Sequence, residues 1–425
     1  MRAINVYLWG TPVGAAVMQE GNPIATFEYS DEIRDMGIEL SPFVMPLKDR
    51  IFSFPDLPIR SFRGLPGLLS DSLPDKFGNK VLSAYLQSLG RDEDELSALD
   101  RLAYTGTRGM GALEYRPALF DGQDVSERLE VTMLARLAEE VLKTREGARA
   151  ELKAGLVDYA SILKVGSSAG GARAKALIGW NEQTGEVRSG QVKLDNGFGY
   201  WLIKFDGLTG NGDKEEDDKW GYGRVEYAYH LMARAAGIEM ADCRLWDHRH
   251  FMTKRFDRTP EGGKLHMMTL GGMAHLDFND PFANSYEQAF RVTRQVVRDA
   301  RAQAALFRRM VFNVLAWNCD DHVKNISYLM DREGRWTLAP AYDVCYAYSP
   351  NGAWTSSHQM SVNGKKSGIT DDDLMATGRI ADLKPRLATK IIGEVREAVR
   401  NWPTFADEAE VREEFQAVIG ARLGC

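Results

Sequence analysis

The spacing of apolar residues changes part-way along this chain, and that change limits what it can fold into. Near the start, Ile4, Val6 and Leu8 alternate with other side chains, and the run to Tyr29 is broken at Gly10-Thr11-Pro12 and Gly21-Asn22-Pro23. A period of two with turn residues between the runs describes a small antiparallel meander. From Ala289 onward the spacing is helical: Ala289, Val292 and Val296; Phe307, Met310, Val311, Val314 and Leu315; Ile391, Ile392, Val395 and Val399; Val411, Phe415, Val418 and Ile419. One chain that is β-rich first and α-rich later belongs to the α+β class.

Between these extremes, prolines at 42, 46, 55, 58 and 66 suppress regular structure. Phe77, Val81, Leu82, Tyr85, Leu86 and Leu89 then predict a helix ending near Gly90, and Val131, Leu134, Leu137, Val141 and Leu142 predict another. Short runs at Ile162–Val165, Ala176–Trp180 and Tyr200–Phe205 predict a second sheet, and the acidic run Asp213–Asp218 reads as a solvated loop. A helix through Val225, Tyr229, Met232 and Ala236 precedes a strand at Phe251–Thr253. The 425 residues are enough for about two or three domain-sized units. The pattern divides them into a small N-terminal unit over 1–120, a β-rich unit over 121–257 and a helical unit over 258–425.

Acidic residues outnumber basic ones, 60 to 53, for a net charge of −7. That removes the electrostatic footprint of a free-standing DNA-binding protein, so DNA contact is expected only through another chain. Cys243, Cys319, Cys345 and Cys425 form no CxxC pair, which signals neither a disulfide framework nor a zinc site and fits a reducing compartment. No apolar run approaches the length of a membrane span, and the first residues lead into a strand without a targeting pattern. The expected location is the cytoplasm.

The stretch richest in chemistry is Asn318-Cys319-Asp320-Asp321-His322-Val323-Lys324-Asn325, lying between an apolar helix and the strand-like Ile326–Met330. Asp320 and Asn325 have the spacing of the Asp and Asn in a protein-kinase catalytic loop, where the first accepts the substrate hydroxyl proton and the second holds magnesium. Asp321 is the competing candidate for the base. A turn at Asp331–Gly334 followed by Trp336–Ala339 predicts a hairpin, whose pairing brings Asn325 towards Asp343. An amide oxygen and a carboxylate so placed suit Mg-ATP. A lone Asp-x-x-x-x-Asn is more often structural than catalytic, and His322 is open to a core, capping or chemical role.

A kinase also needs a strand lysine for the phosphates. Lys204, in the apolar run Trp201–Phe205, either faces outward or finds such a partner, and Glu226 at the start of the next helix could pair with it. Upstream, Gly166-Ser167-Ser168-Ala169-Gly170-Gly171-Ala172-Arg173-Ala174-Lys175 offers small residues through which backbone N–H groups reach an anion, with Arg173 and Lys175 adding charge. It is not a Walker A loop, because Ala172 stands where the lysine would be.

Taken in order, these segments resemble the HipA family of serine/threonine kinases, the toxin partners of bacterial toxin–antitoxin modules. The resemblance spans most of the chain: Ile4–Tyr29 with Leu68–Asp75, the Ser168–Lys175 loop, Ile203-Lys204-Phe205, Glu226-Tyr227-Ala228, Lys254–Arg258, Asp320–Asn325 and Ala341-Tyr342-Asp343. It implies a protein-kinase-like two-lobed fold, with an added N-terminal subdomain and an all-α C-terminal lobe. It makes Asp320 the base, Asn325 and Asp343 the Mg2+ ligands, and Lys204 a binder of the ATP phosphates. Gly170, Gly171, Ala172, Arg173, Lys175, His322, Lys324 and Tyr342 join the nucleotide-binding set, and the backbone of Lys254, Arg255 and Phe256 becomes the hinge that reads adenine. Autophosphorylation at Ser168, with Ser167 as the alternative, would silence the enzyme by placing charge where phosphates must sit. The implied substrate is an aminoacyl-tRNA synthetase and the implied partner a HipB-like helix-turn-helix antitoxin. Two rivals remain: a small-molecule kinase of the aminoglycoside type, and a catalytically idle subunit that docks on the antitoxin.

Overall fold

The computed structural model describes residues 2–93, 96–120, 128–142, 173–208, 221–280 and 283–425. The expected strand at Ile162–Val165, the glycine-rich loop with Ser167, Ser168, Gly170, Gly171 and Ala172, and the acidic run Asp213–Asp218 lie outside the described residues. Two compact units emerge: one from the described residues within 1–219, 252–267 and 332–334, the other from those within 220–251, 268–331 and 335–425.

The first unit opens with the expected meander. Strands β1 (Arg2–Leu8), β2 (Thr11–Met18), β3 (Ala25–Tyr29), β4 (Phe52–Ser53) and β5 (Leu113–Arg116) form a five-stranded sheet in the order β4-β3-β2-β1-β5. Each strand pairs antiparallel with its neighbours. Alternation does the sorting, since Ile4, Val6 and Leu8 are buried while Ala3 and Asn5 are exposed. On β3 the inward residues are Ala25, Phe27 and Tyr29, with Phe27 edge-on to Tyr29 at 5.1 Å and Tyr29 donating to the Met45 carbonyl at 2.9 Å. The proline-dense stretch yields only β4 and two four-residue helices, Ile59–Phe62 and Gly67–Ser70.

Helix Lys76–Ser88 follows, capped by the Asp75 carboxylate, and Gly90 beyond it takes a left-handed φ of 72°. Val131–Leu142 is a helix as its spacing requires. Three further strands, β6 (Lys175–Trp180), β7 (Val187–Ser189) and β8 (Gly199–Lys204), place β6 between its antiparallel neighbours, with Lys175 opposite Lys204. Trp201 and Ile203 are buried on β8.

The second unit is mostly helical. Its principal helices are Tyr222–Ala235, Tyr286–Val296, Ala300–Leu315, Asp371–Ile380, Pro385–Arg400, Trp402–Glu408 and Glu413–Leu423. It also contains the expected hairpin, Ser327–Met330 against Trp336–Leu338, pairing Tyr328 with Leu338 and Met330 with Trp336. The region after 258 is therefore not purely helical. The last helix also departs from its predicted face: Val411 precedes it and Val418 is exposed. Near the start of Tyr222–Ala235, a Cβ on Gly223 would lie 2.1 Å from the Arg249 carbonyl oxygen, so only glycine allows the helix this close to that backbone. Among the described residues no helix is long and apolar enough to cross a membrane.

Candidate functional site

The Ala300–Leu315 helix delivers the chain into the Asn318–Asn325 loop. Trp317 adopts a left-handed φ of 52°, and Asn318 folds back with its N–H on the Asn313 carbonyl and its side-chain amide on the Asn313 side chain, both at 3.0 Å. Cys319 N–H donates to Ala347 O and Ala347 N–H donates to Trp317 O, each at 3.1 Å. Arg422 covers Trp317 and Tyr348 at 4.9 and 4.5 Å from their ring centres. Further on, fully buried Val323 accepts from Gly271 N–H at 3.0 Å, and Asn325 N–H donates to His322 O at 2.9 Å. The loop's course is thus set by backbone bonds at several points.

Within this frame the two adjacent carboxylates differ. Asp321 has a side chain only 1% exposed and accepts from Tyr286 O–H at 2.9 Å, His358 Nδ1 at 3.0 Å and Gln359 N–H at 2.8 Å. Asp320 keeps 29% of its side chain exposed, with Oδ1 3.9 Å from His322 Nε2. A carboxylate enclosed by three donors is poorly placed to take a proton from an incoming hydroxyl; the part-exposed neighbour is the more accessible of the two.

Asn325 leaves the loop with its amide nitrogen donating to the Asp320 carbonyl at 2.8 Å, so the amide oxygen is the end left to act as a ligand. Tyr342 closes the open end of the hairpin: its hydroxyl donates to Lys324 O and meets Ser327 Oγ, both at 2.5 Å. Asp343 follows with a left-handed φ of 56°, a conformation uncommon outside glycine. His322 and Lys324 both meet Phe278, the histidine ring at 6.3 Å between centroids and Lys324 Nζ at 4.6 Å over the ring. Tyr342 thereby builds the loop, and Lys324 has a cation–π partner.

In the first unit, Lys204 ends β8 half-buried. Lys175 is buried and paired with Asp75 at 2.9 Å, the carboxylate that also caps Lys76–Ser88, so its charge is committed to the fold. Arg173 is buried and Lys254 is exposed. Arg255 is buried and holds Asp257 through Nε at 2.9 Å and Nη2 at 2.7 Å, while its backbone N–H donates to Tyr200 O at 2.8 Å and is not available to a base. Asp257 also accepts from Arg258 at 2.6 Å and Gly111 N–H at 2.7 Å.

The profile of the HipA-like C-terminal domain matches residues 167–402, and that of the HipA N-terminal domain matches residues 4–116. This chain belongs to the HipA family. A curated relative from Sinorhizobium fredii, named "Putative kinase Y4dM", is 27% identical over 229 residues, which is 48% of this chain. The HipA-family chain spans 51% of the length of that relative. Among solved structures, the HipA toxin–antitoxin complex of Shewanella oneidensis MR-1, with HipB and operator DNA, aligns at a TM-score of 0.67 and 16% identity, covering 99% of this chain and 94% of that one. At that identity the likeness establishes a shared fold. The Helicobacter pylori proinflammatory kinase CtkA aligns at a TM-score of only 0.32, over 53% of this chain.

Proposed function

We propose that this HipA-family chain is an ATP- and Mg2+-dependent serine/threonine protein kinase. The observation that supports the reading is the contrast within Asp320-Asp321: the Asp320 side chain keeps 29% of its surface exposed, and that of Asp321 is enclosed by Tyr286, His358 and Gln359. In the reaction a substrate hydroxyl oxygen bonds to the γ-phosphorus, the bond from that phosphorus to the bridging oxygen breaks, and ADP departs. Asp320 orients the hydroxyl and receives its proton.

The donor set at Asn325 and Asp343 is an amide oxygen and a carboxylate, which are hard ligands suited to Mg2+. Among the described residues no group of three or more His, Cys, Asp and Glu side chains gathers as a metal cage. When bound, Mg2+ supplies charge neutralisation at the phosphates. Lys204 adds charge there, and Lys254 and Phe256 contribute hinge backbone without the Arg255 amide. Lys175 is left out of the phosphate ligands because Asp75 already holds it.

The proposed substrate is an aminoacyl-tRNA synthetase, the proposed silencing site Ser168 or Ser167, and the proposed partner a HipB-like antitoxin through which any DNA contact is made. HipA from S. oneidensis was solved with HipB and operator DNA, which supports carrying that partner over. Incubating the full-length protein with γ-labelled ATP, Mg2+ and a bacterial lysate tests the class. Label on a protein band is expected; label confined to small molecules overturns the protein-kinase reading.

A further inference from the structure

The partners of Asp321 belong to a longer chain of buried and part-buried polar groups. Asn318 Nδ2 donates to Asn313 Oδ1 at 3.0 Å, Asn313 Nδ2 donates to Tyr286 OH at 3.0 Å, and Tyr286 donates to Asp321 Oδ2 at 2.9 Å. His358 Nδ1 meets the same oxygen at 3.0 Å, and Gln359 N–H reaches Oδ1 at 2.8 Å. Both flanks of Asp320 are therefore held by one network, Asn318 at its start and Asp321 on its other side. Beyond Asp321 the network continues into the segment after the hairpin. Gln359 Nε2 donates to Trp354 O, His358 N–H donates to Lys366 O at 3.0 Å, and Lys366 Nζ donates to Gln359 O at 2.5 Å.

We infer that Asp321 is a positioning residue: through His358 and Gln359 its carboxylate ties the Trp354–Met360 segment to the loop that aims Asp320. The inference rests on the reading of Asp320 as base. Its physical content is that a carboxylate sealed from water must keep its donors, because losing one leaves buried charge poorly compensated. Apolar packing could hold two segments together, but it would not fix the angular position of a loop as a three-donor carboxylate does. Trp354, at 39% exposure, is an outward-facing residue of the tied segment. None of the network residues belongs to the set proposed to hold nucleotide, so its loss should weaken turnover and spare ATP binding.

Two variants separate the hydrogen bond from simple packing. His358→Leu fills the space without a donor, whereas His358→Asn keeps an N–H near the Nδ1 position. In the full-length protein, with labelled MgATP and lysate as probe, H358L is expected to lose about tenfold in kcat while the KM for ATP stays within about twofold, and H358N to recover to within about threefold of wild type. Amide hydrogen exchange across 354–366 should be about tenfold faster in H358L than in wild type or H358N. Wild-type turnover in H358L, or equal impairment in H358N and H358L, overturns the inference. If the wild-type protein transfers no phosphate at all, the kinase reading fails separately. The exchange comparison still decides on the tie, and unchanged exchange in H358L rejects it.

Discussion

The side-chain amide of Asn325 donates to the backbone carbonyl of Asp320 across 2.8 Å. One residue thus braces the peptide that carries the proposed base and leaves its amide oxygen to the proposed Mg2+. Asn325→Ala removes both contributions. Phosphoryl transfer should fall by about 100-fold or more, while stability should change by no more than about 1 kcal/mol because a single part-buried hydrogen bond is lost. Initial rates and thermal unfolding of the same preparation check this; a variant with intact turnover would remove Asn325 from the site.

Asp257 is the sharpest stability prediction in the first unit. Its side chain is 0% exposed and is shared by Arg255, 1% exposed, and Arg258, 6% exposed. Burial alone would raise its pKa, but the two guanidiniums and the Gly111 amide hold it well below the usual carboxylate range. Its contribution is therefore present above the ordinary carboxylate pKa and is lost only as pH falls towards the depressed value. Asp257→Asn should cost about 3–5 kcal/mol, since two buried guanidiniums lose their counter-charge. Denaturant unfolding measures it, and a loss under about 1 kcal/mol would show the network to be dispensable.

Acid should weaken the fold well before carboxylates titrate. Burial pushes His230, His250 and His266 down to about 4, from an ordinary value of 6.5. Each is neutral in the folded chain, so protons bind the unfolded chain first. Stability is complete above pH 6.5 and declines as pH falls towards 4, by up to about 3 kcal/mol for the fully enclosed His266. The unfolding midpoint should be lower at pH 5 than at pH 7.5, and His266→Phe should narrow the gap. Equal midpoints at the two pH values would contradict it.

Gly223→Ala should cost about 1–3 kcal/mol, because the added methyl would meet the Arg249 carbonyl oxygen at 2.1 Å and drive the Tyr222–Ala235 helix away from that backbone. Circular dichroism melting reads the loss; an unchanged midpoint would mean that the helix shifts freely.

Much of this architecture was legible because it is local. The meander is written in the alternation of Ile4, Val6 and Leu8, and the hairpin in a turn at Asp331–Gly334 between apolar runs, observed with Tyr328 opposite Leu338. Helices Ala98–Thr105, Asp371–Ile380 and Trp402–Glu408 were not foreseen, since they are short and, at Asp371-Asp372-Asp373, begin on charge rather than on an apolar stripe. The site divides the same way. The loop and its Asp/Asn spacing are contiguous in sequence, whereas Asp321's partners Tyr286 and His358 lie 35 and 37 residues away, and Lys175 meets an aspartate 100 residues earlier. No periodicity carries pairings of that range.

The most direct test is phosphoryl transfer by Asp320→Asn, measured as γ-phosphate moved from labelled MgATP to protein by the folded 425-residue chain. Removing the base while keeping its shape should lower the rate by about 1,000-fold, with the unfolding midpoint and ATP binding essentially unchanged. A D320N protein that still transfers phosphate at close to the wild-type rate would contradict the assignment of Asp320 and, with it, the account of this loop as a kinase catalytic loop.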